Sequence, residues 1–558
     1  MAKPSDSHWY SDVEDPIMVD DAESAQWDEE VDVAVVGFGG AGACAAMEAS
    51  DNGAKVMVVD RFTGGGTTKI SGGVVYAGGG TSPQKSAGVS DTPEEMYKYL
   101  SMETKGVVED GTLRKFCDES VENLQWLEKK GVQFEGSLCP HKTSYPIGKY
   151  CLYYSGNEGI GEYSKKARPA PRGHIPREKK GRKAFPGSSF YEPLEKATIR
   201  QGVLPRLQSN VRRLITNKEG AVVGLELLEI PPKSIWRRLH RVLGFLATYL
   251  HKFSPGFALR FRRWVTQIEK KRARSRRVRA RRGVILSAGG FVMNRKMLTH
   301  YAPKYAKGGL PLGSTGDDGS GIRLGESVGA ATGKMDRASA WRFINPPMAW
   351  AQGIVVNTQG ERFCNESVYG ALLGERMCED HGGKGILVID KVLFRRALRQ
   401  MAPWKVMYFQ LLPAALSMFF AARKARTIED LARICKIPGE KLLATVDAYN
   451  AIATGHTPDP FGKSKDFYQP LRVPPYYAMD VSLGAKLFVC AKLTFGGLVL
   501  DERTGQVKGE DGSVIPGLYA AGRTAMGIPS NSYVSGLSIA DCVFSGRRAG
   551  RHAATGSE

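Results

Sequence analysis

The sequence predicts an α/β protein whose core is a doubly wound parallel sheet, interrupted by an inserted α+β unit. Three observations predict it. A β-branched run at residues 31–36 leads into a glycine cluster, a helix of small residues and a second apolar run at 55–60, which is the pattern of a βαβ unit. Residues 496–550 come back to strand, turn and helix and close the same unit. Between them, from 291 to about 480, loops and helices mix around the turn-rich segment 313–321, as expected of a second unit inserted into the first.

In chain order, residues 1–27 form a polar, acidic extension, 28–290 the first part of the sheet domain, 291–480 the catalytic or cap unit, and 481–558 the second part of the sheet domain. Residues 63–80 are rich in Gly, Ser and Thr, as a loop over a ligand is. Residues 93–130 read as helices by their apolar spacing, and 155–187 as a Gly, Pro and Lys rich loop region. Residues 221–229 alternate like a strand, with 276–288 as partner, so 231–283 is an insertion at that pair.

A chain of 558 residues with 42% hydrophobic and 24% charged residues is long enough for several cores and too apolar to be disordered. Nine scattered cysteines, none in a CxxC, and an N-terminus without an apolar stretch predict a reduced, cytoplasmic protein. The net charge is +21. Residues 231–283 hold seventeen Lys or Arg against the single acid Glu269, so 17 − 1 = +16 of it sits there. The remainder is close to neutral.

Gly37-Phe38-Gly39-Gly40-Ala41-Gly42 fits GxGxxG. The glycines allow a tight turn, close approach of a pyrophosphate and close helix-to-strand packing, with the phosphates on the helix N-terminus. Asp60 ends the second strand, 23 residues after Gly37, where an acid bonds a ribose hydroxyl. Strand, helix and terminal acid together make this a dinucleotide site rather than a bare glycine turn.

Three further segments point to flavin: residues 284–291 (VILSAGGF), 517–523 (GLYAAGR) and 65–73 (GGTTKISGG). With these the chain resembles the FAD-binding family of fumarate reductase flavoproteins and 3-ketosteroid dehydrogenases. The likeness runs through residues 362–366 (RFCNE), 443–463 and 495–498 (FGGL), and only 231–283 falls outside it. It implies a Rossmann-like FAD-binding domain with FAD held by Gly37, Gly39, Gly40, Ala41, Gly42, Asp60, Arg61, Gly65, Gly66, Thr67, Thr68, Ser71, Gly72, Gly73, Ala288, Gly289, Gly290, Asp318, Gly522, Arg523, Ser538 and Ile539. No metal site is expected. Asp317 and Asp318 are expected to shape a tight loop beside the flavin.

Fumarate reductases hold a dianion with arginines, one just after an Asn-Glu pair and one in a run near the C-terminus. Here Asn365-Glu366 is followed by Ser367-Val368-Tyr369-Gly370, and the C-terminal run reads Asn531-Ser532-Tyr533-Val534-Ser535-Gly536-Leu537, with Tyr533 in the arginine's place and Pro529 for a histidine. Without bidentate cations a dicarboxylate is poorly held. The Tyr-x-Ser-Gly pattern is similar to that of 3-ketosteroid Δ4-(5α)-dehydrogenases. The resemblance implies Tyr533 as base, Ser535 as its assistant and Tyr369 as a second active-site tyrosine, with the NH of Gly536 polarising the ketone. Proton loss α to the ketone then accompanies β-hydride transfer to flavin N5. Tyr150, Tyr153 and Tyr154 are further candidate phenols, or packing aromatics.

In the insertion, residues 235–249 and 257–268 mix Arg237, Arg238, Arg241, Arg260, Arg262 and Arg263 with Leu239, Val242, Phe245, Phe261 and Trp264. Cationic helices with Trp, Phe and Leu lie in a membrane interface, and neither run is long enough to span. Residues 404–422 form an apolar companion segment. The reading is an FAD-dependent 3-ketosteroid dehydrogenase acting at C4–C5, peripheral on the inner face of the cytoplasmic membrane, passing electrons to a separate quinone or protein and binding no nucleic acid. A Δ1-dehydrogenase, an enone or dicarboxylate reductase, and a membrane-bound flavoprotein adaptor stay open beside it.

Overall fold

The computed structural model describes residues 13–177, 186–251, 255–402, 404 and 406–557. Its spine is a nine-stranded sheet built from β1 (Ile17–Met18), β2 (Glu29–Val36), β3 (Val56–Asp60), β4 (Leu204–Leu207), β5 (Ser209–Thr216), β6 (Val222–Glu229), β7 (Arg274–Leu286), β8 (Gln506–Lys508) and β9 (Val514–Ala520). The order is β1-β5-β6-β7-β2-β3-β4, with β9 also on β7 and β8 on β9. Strands β4, β3, β2, β7 and β9 run parallel. The expected doubly wound layer is therefore present, and β5 and β6 add an antiparallel arm to it. The arm exists because β7 has thirteen residues. Its first half pairs antiparallel with β6, and its last three residues, Val284–Leu286, pair with Leu518–Ala520 of β9.

The strand pleat sorts the core. Val33, Val35, Val56, Val58 and Ile285 face one apolar cluster, and Ala34, Val36, Met57, Val59, Val284 and Leu286 face the other. That is the period-two division of a sheet covered on both faces. Each fully buried valine contributes about 1.5–3 kcal/mol relative to exposure.

Helix α1 (Gly40–Asp51) follows β2, and the last helix, Leu537–Thr555, lies along it in the same direction. A Cβ on Gly546 would stand 2.6 Å from the carbonyl oxygen of Ala41, and one on Gly550 would stand 2.3 Å from that of Ala45. Two small residues one turn apart on each helix let the backbones touch, so the chain's two ends form one layer.

The insertion forms a helical hairpin, α2 (Ile235–Leu250) and α3 (Pro255–Arg272), between neighbouring strands β6 and β7; it ends before residue 274 and not at 283 as expected, because Arg274–Gly283 belong to β7 and pair with β6 and β2. Its only acid, Glu269, is buried. The carboxylate accepts from Arg61 Nε at 2.8 Å and Nη2 at 3.0 Å, sits 3.0 Å from His240 Nε2, and accepts from Asn210 Nδ2 at 3.3 Å. Leu243, Ala247, Val265 and Ile268 fill the inner face, while Ile235, Leu239, Val242, Phe245, Phe257 and Trp264 are exposed. Arg262 was expected at an interface; it is buried, with Nη1 donating to the Met293 carbonyl at 3.4 Å.

Between residues 291 and 480 lie a four-stranded antiparallel sheet (Ile354–Val356, Ile386–Ile389, Tyr476–Asp480, Arg423–Ala425) and the strand Ala338–Trp341, which pairs with Ala491–Thr494. Residues 408–421 are helical, with Tyr408, Leu412, Phe419 and Phe420 exposed. Among the described residues no helix is long and apolar enough to cross a membrane, and no group of acids, histidines and cysteines could hold a metal ion.

Candidate active site

The glycine turn is built for close approach. Gly37 has φ +102°, and a Cβ there would lie 2.5 Å from the Ser287 carbonyl oxygen; a Cβ on Gly42 would overlap the carbonyl of Gly37. These two positions accept no side chain. Helix α1 begins at Gly40 with Gly39 as its cap and no side-chain capping bond, which leaves amide donors open to an anion. Gly40 N donates to Thr68 Oγ1 at 3.1 Å, bringing the 65–73 loop over the turn.

Asp60 accepts from the amides of Phe38 and Phe62 at 2.9 and 2.7 Å, and burial pushes its carboxyl up. Thr67 bonds Asp317, which also accepts from Gly290 N at 3.3 Å. Thr524 Oγ1 donates to the Gly289 carbonyl at 3.1 Å. A Cβ on Gly522 would stand 2.8 Å from that of Ala41. The structure thus gathers Gly37–Gly42, Thr67, Thr68, Ala288–Gly290, Gly522 and Arg523 at the carboxyl ends of the parallel strands, the expected place for a ligand in an open α/β sheet. Ser71 Oγ donates to the Thr68 carbonyl at 2.8 Å, and Tyr145 OH to that of Gly72 at 2.8 Å.

Arg61 and Asp318, next to Asp60 and Asp317, pair with one another at 2.8 Å, and Arg61 also holds Glu269, so both join the sheet domain to the hairpin. Asp317, not Asp318, faces the Thr67 loop.

The last helix opens in a similar way. Gly536 caps it with φ +90° and no side-chain bond; the Leu537 amide donates to the Val534 carbonyl at 3.1 Å, the amides of Ser538 and Ile539 are open, and Ser538 Oγ is buried without a hydrogen-bond partner among the described residues. Two uncapped helix ends and an orphaned hydroxyl fit FAD, whose pyrophosphate and electron-rich ring edge both accept hydrogen bonds.

Beside this end lies a chamber of aromatic rings. Tyr533 stacks with Tyr369 at 6.2 Å and 13°, Trp341 lies 4.3 Å from Tyr533, and Phe343 meets Tyr369 edge-on at 4.9 Å. Tyr153 OH donates to Ser535 Oγ at 3.0 Å. Of the three phenols left open by the sequence, Tyr153 is therefore the one in the cluster; Tyr150 packs on Lys149 and His141. Tyr369 is fixed by its amide, which donates to Asn157 Oδ1 at 2.7 Å. Gly536 must be glycine: a Cβ would lie 2.7 Å from Tyr76 N, which itself donates to the Gly536 carbonyl at 3.1 Å.

Burial pushes all three phenols above their usual range. The opposing forces differ. A bond to Ser535 draws all three back; Tyr533 is drawn further by the positive Arg523, whereas Tyr369 and Tyr153 are pushed up by neighbouring phenols and by Glu158. Trp341, Phe343 and Glu158 were not anticipated, because each reaches the chamber from a distant part of the chain.

Helix ends opening together beyond a parallel sheet, next to a chamber of phenols, define a dinucleotide-dependent redox protein. Residues 32–536 match the FAD-binding domain family, and the chain belongs to that family as a flavin-dependent oxidoreductase. It is 40% identical over 516 residues to the 3-oxo-5-alpha-steroid 4-dehydrogenase of Comamonas testosteroni, covering 90% of this chain and 94% of the relative. A 3-oxosteroid 1-dehydrogenase of Mycobacterium tuberculosis is 26% identical over 563 residues, again covering 90% and 94%. The crystal structure of the 3-ketosteroid-Δ4-(5α)-dehydrogenase of Rhodococcus jostii RHA1 with 4-androstene-3,17-dione superposes with TM-score 0.80 and 29% identity, over 97% of this chain and 100% of that one.

Proposed function

We propose that the protein is a 3-ketosteroid Δ4-(5α)-dehydrogenase, which desaturates C4–C5 next to the 3-keto group of ring A. The observation that carries this reading is the cluster of Tyr533, Ser535, Tyr153 and Tyr369 at the open end of the last helix. Phenols, a hydroxyl and an indole suit a flat, neutral ketone; a dicarboxylate asks for paired guanidinium groups. Bound FAD supplies the hydride acceptor. The chain's residues do the rest. Trp341 and Phe343 hold ring A against Tyr533 and Tyr369, excluding water. Tyr533 takes the C4 proton, assisted by Ser535. The NH of Gly536 and the Tyr369 hydroxyl steady the developing enolate.

The proposed FAD set comprises Gly37, Gly39 to Gly42, Asp60, Arg61, Gly65 to Thr68, Ser71 to Gly73, Ala288 to Gly290, Asp318, Gly522, Arg523, Ser538 and Ile539. The domain division proposed is 28–290 with 481–558 for the FAD domain and 291–480 for the cap. Reduced enzyme hands its electrons to a separate quinone or protein. Exposed Ile235, Val242, Phe245 and Trp264 beside exposed Arg238, Arg241 and Arg263 support peripheral docking of the hairpin within 231–283, residues 235–272, on anionic lipid, at about 1 kcal/mol per basic residue.

Tyr533→Phe is the test. It should slow flavin reduction by a saturated 3-ketosteroid at least about 100-fold while FAD stays bound; unchanged reduction removes Tyr533 as the base. Mass and NMR analysis of the product fixes the bond, and a 1-ene product would replace the Δ4 reading with Δ1.

A further inference from the structure

Behind the tyrosines the chain carries a buried acid that the reaction as described does not use. Residues 153–158 run along the catalytic segment: Tyr153 bonds Ser535, and the amide of Ser535 donates to the Ser155 carbonyl at 3.2 Å. Gly156 lies so close to Val534 that an added Cβ would stand 3.2 Å from its methyl, and Asn157 holds the amide of Tyr369. Glu158 closes this stretch. It is 1% exposed, its Oε2 accepts from Gly156 N at 2.8 Å, and its Oε1 is buried without a hydrogen-bond partner among the described residues, as is Ser155 Oγ. A buried carboxylate oxygen left unpaired is costly unless ordered water completes it.

The groups facing Glu158 come from every element around it. Tyr76 lies on the strand Val75–Tyr76 and Tyr99 on the helix Pro93–Thr104, where Glu103 binds Tyr99 OH. Arg172 is clamped to Asp91 at 2.8 Å. Lys142 Nζ donates to the Ser367 carbonyl at 2.7 Å, two residues before Tyr369. Tyr153, Tyr154 and Tyr369 complete the wall. Arg172 bonds Asp91 through Nε and Nη2, and both it and Lys142 favour the charged form of Glu158, Arg172 the more strongly.

We propose that Glu158 is the internal acceptor of the substrate proton, reached from Tyr533 through Ser535, the phenols of Tyr153 and Tyr369, and an ordered water that completes the unpaired Glu158 Oε1. The α C–H bond breaks heterolytically, its electron pair becomes the new C=C, and the β-hydrogen leaves as hydride to the family's flavin. The proton passes along the hydroxyls and the bridging water to the Glu158 carboxylate, giving a neutral acid, and leaves for solvent after product departs. Tyr533 therefore regains its starting protonation within the closed site. Glu158 acts through the phenols and touches no reacting atom. Its acidity matches that role, because burial pushes its carboxyl up to about 7, where it is ionised often enough to accept a proton and neutral often enough to release one. Burial likewise pulls Lys142 down to about 7.

The proposal rests on the dehydrogenase reading, and its test keeps the two apart. Stopped-flow reduction of the holoenzyme's flavin by a saturated 3-ketosteroid is followed across pH, with infrared titration of the resting holoenzyme as a second readout. The expected wild-type rate rises with pH through an inflection near 7. Glu158→Gln should remove the inflection, slow reduction at least tenfold above it, and delete one titrating carboxylic-acid carbonyl band, with FAD content and steroid affinity unchanged; Glu158→Asp should restore part of the rate. Lys142→Met should move the inflection upward. A Glu158→Gln enzyme with the wild-type profile, or a wild type with no carboxyl titrating near neutrality, overturns the proposal. A wild type whose flavin is not reduced overturns the dehydrogenase reading instead.

Discussion

At the scale of single residues, the site works by sharing one hydroxyl. Ser535 Oγ receives the Tyr153 phenol and borders Tyr533 and Tyr369, so its removal strands a buried donor and loosens the order in which the phenols ionise. Ser535→Ala should slow flavin reduction roughly 10- to 100-fold and shift its alkaline limb upward, because Tyr533 loses the bond that lowers it; single-turnover rates across pH read both. The glycines, Asp60 and the Tyr-x-Ser-Gly run were legible in the sequence because their chemistry is local: a turn, a strand end and a helix start. Trp341, Phe343 and Glu158 were not, since nothing near them in sequence marks them and only the fold brings strand Ala338–Trp341 and segment 152–158 to the last helix. Tyr153 could not be told from Tyr150 and Tyr154 for the same reason.

At the scale of elements, strand bounds were legible within about two residues. Residues 55–60 became Val56–Asp60, and 221–229 became Val222–Glu229, since β-branched runs flanked by turns leave little choice. The antiparallel arm was not anticipated as part of the sheet, because pairing partners are not written in a strand's own sequence. The hairpin's basic surface was evident, but the anchor was not: its one acid turns inward. Arg61, His240 and Asn210 hold Glu269, and the nearby cations, Arg61 foremost, bring its carboxyl down to about 2 despite burial. A depressed carboxyl contributes stability above its unfolded pKa of 4.5 that is lost as pH falls through 2. Glu269→Gln should cost about 3 kcal/mol, lower Tm, and expose the Lys270–Arg272 stretch to trypsin; equal cleavage rates for mutant and wild type would show that the hairpin is held by its apolar face alone. If docking of the hairpin carries membrane binding, replacing 235–272 by a short linker, which spares β7, should abolish flotation with anionic liposomes and leave neutral liposomes unaffected.

At the scale of the whole molecule, the βαβ start and the C-terminal return were both readable, and so was their membership of one sheet. What composition could not reveal is how closely the ends meet. Asp541, in the first turns of the last helix, accepts from the amide of Ile528 at 3.3 Å, and burial pushes it up to about 6. The sign is opposite to that of Glu269. The native state binds this proton more tightly than the unfolded chain, whose carboxyl sits at 3.8, so stability is full below that value and falls as pH rises through 6. Asp541→Asn should flatten that part of the stability profile, measured as Tm between pH 4 and 8, while leaving the acid limb set by Glu269.

The contact of Gly546 and Gly550 with Ala41 and Ala45 has a bearing on the order of events during synthesis. The first half of the cofactor cradle leaves the ribosome some five hundred residues before the helix that covers it, so α1 must wait with its small-residue face open. Only when residues 537–555 emerge can that face of α1 be covered. A chain interrupted before residue 537 should therefore carry less flavin, read as the ratio of flavin to protein absorbance.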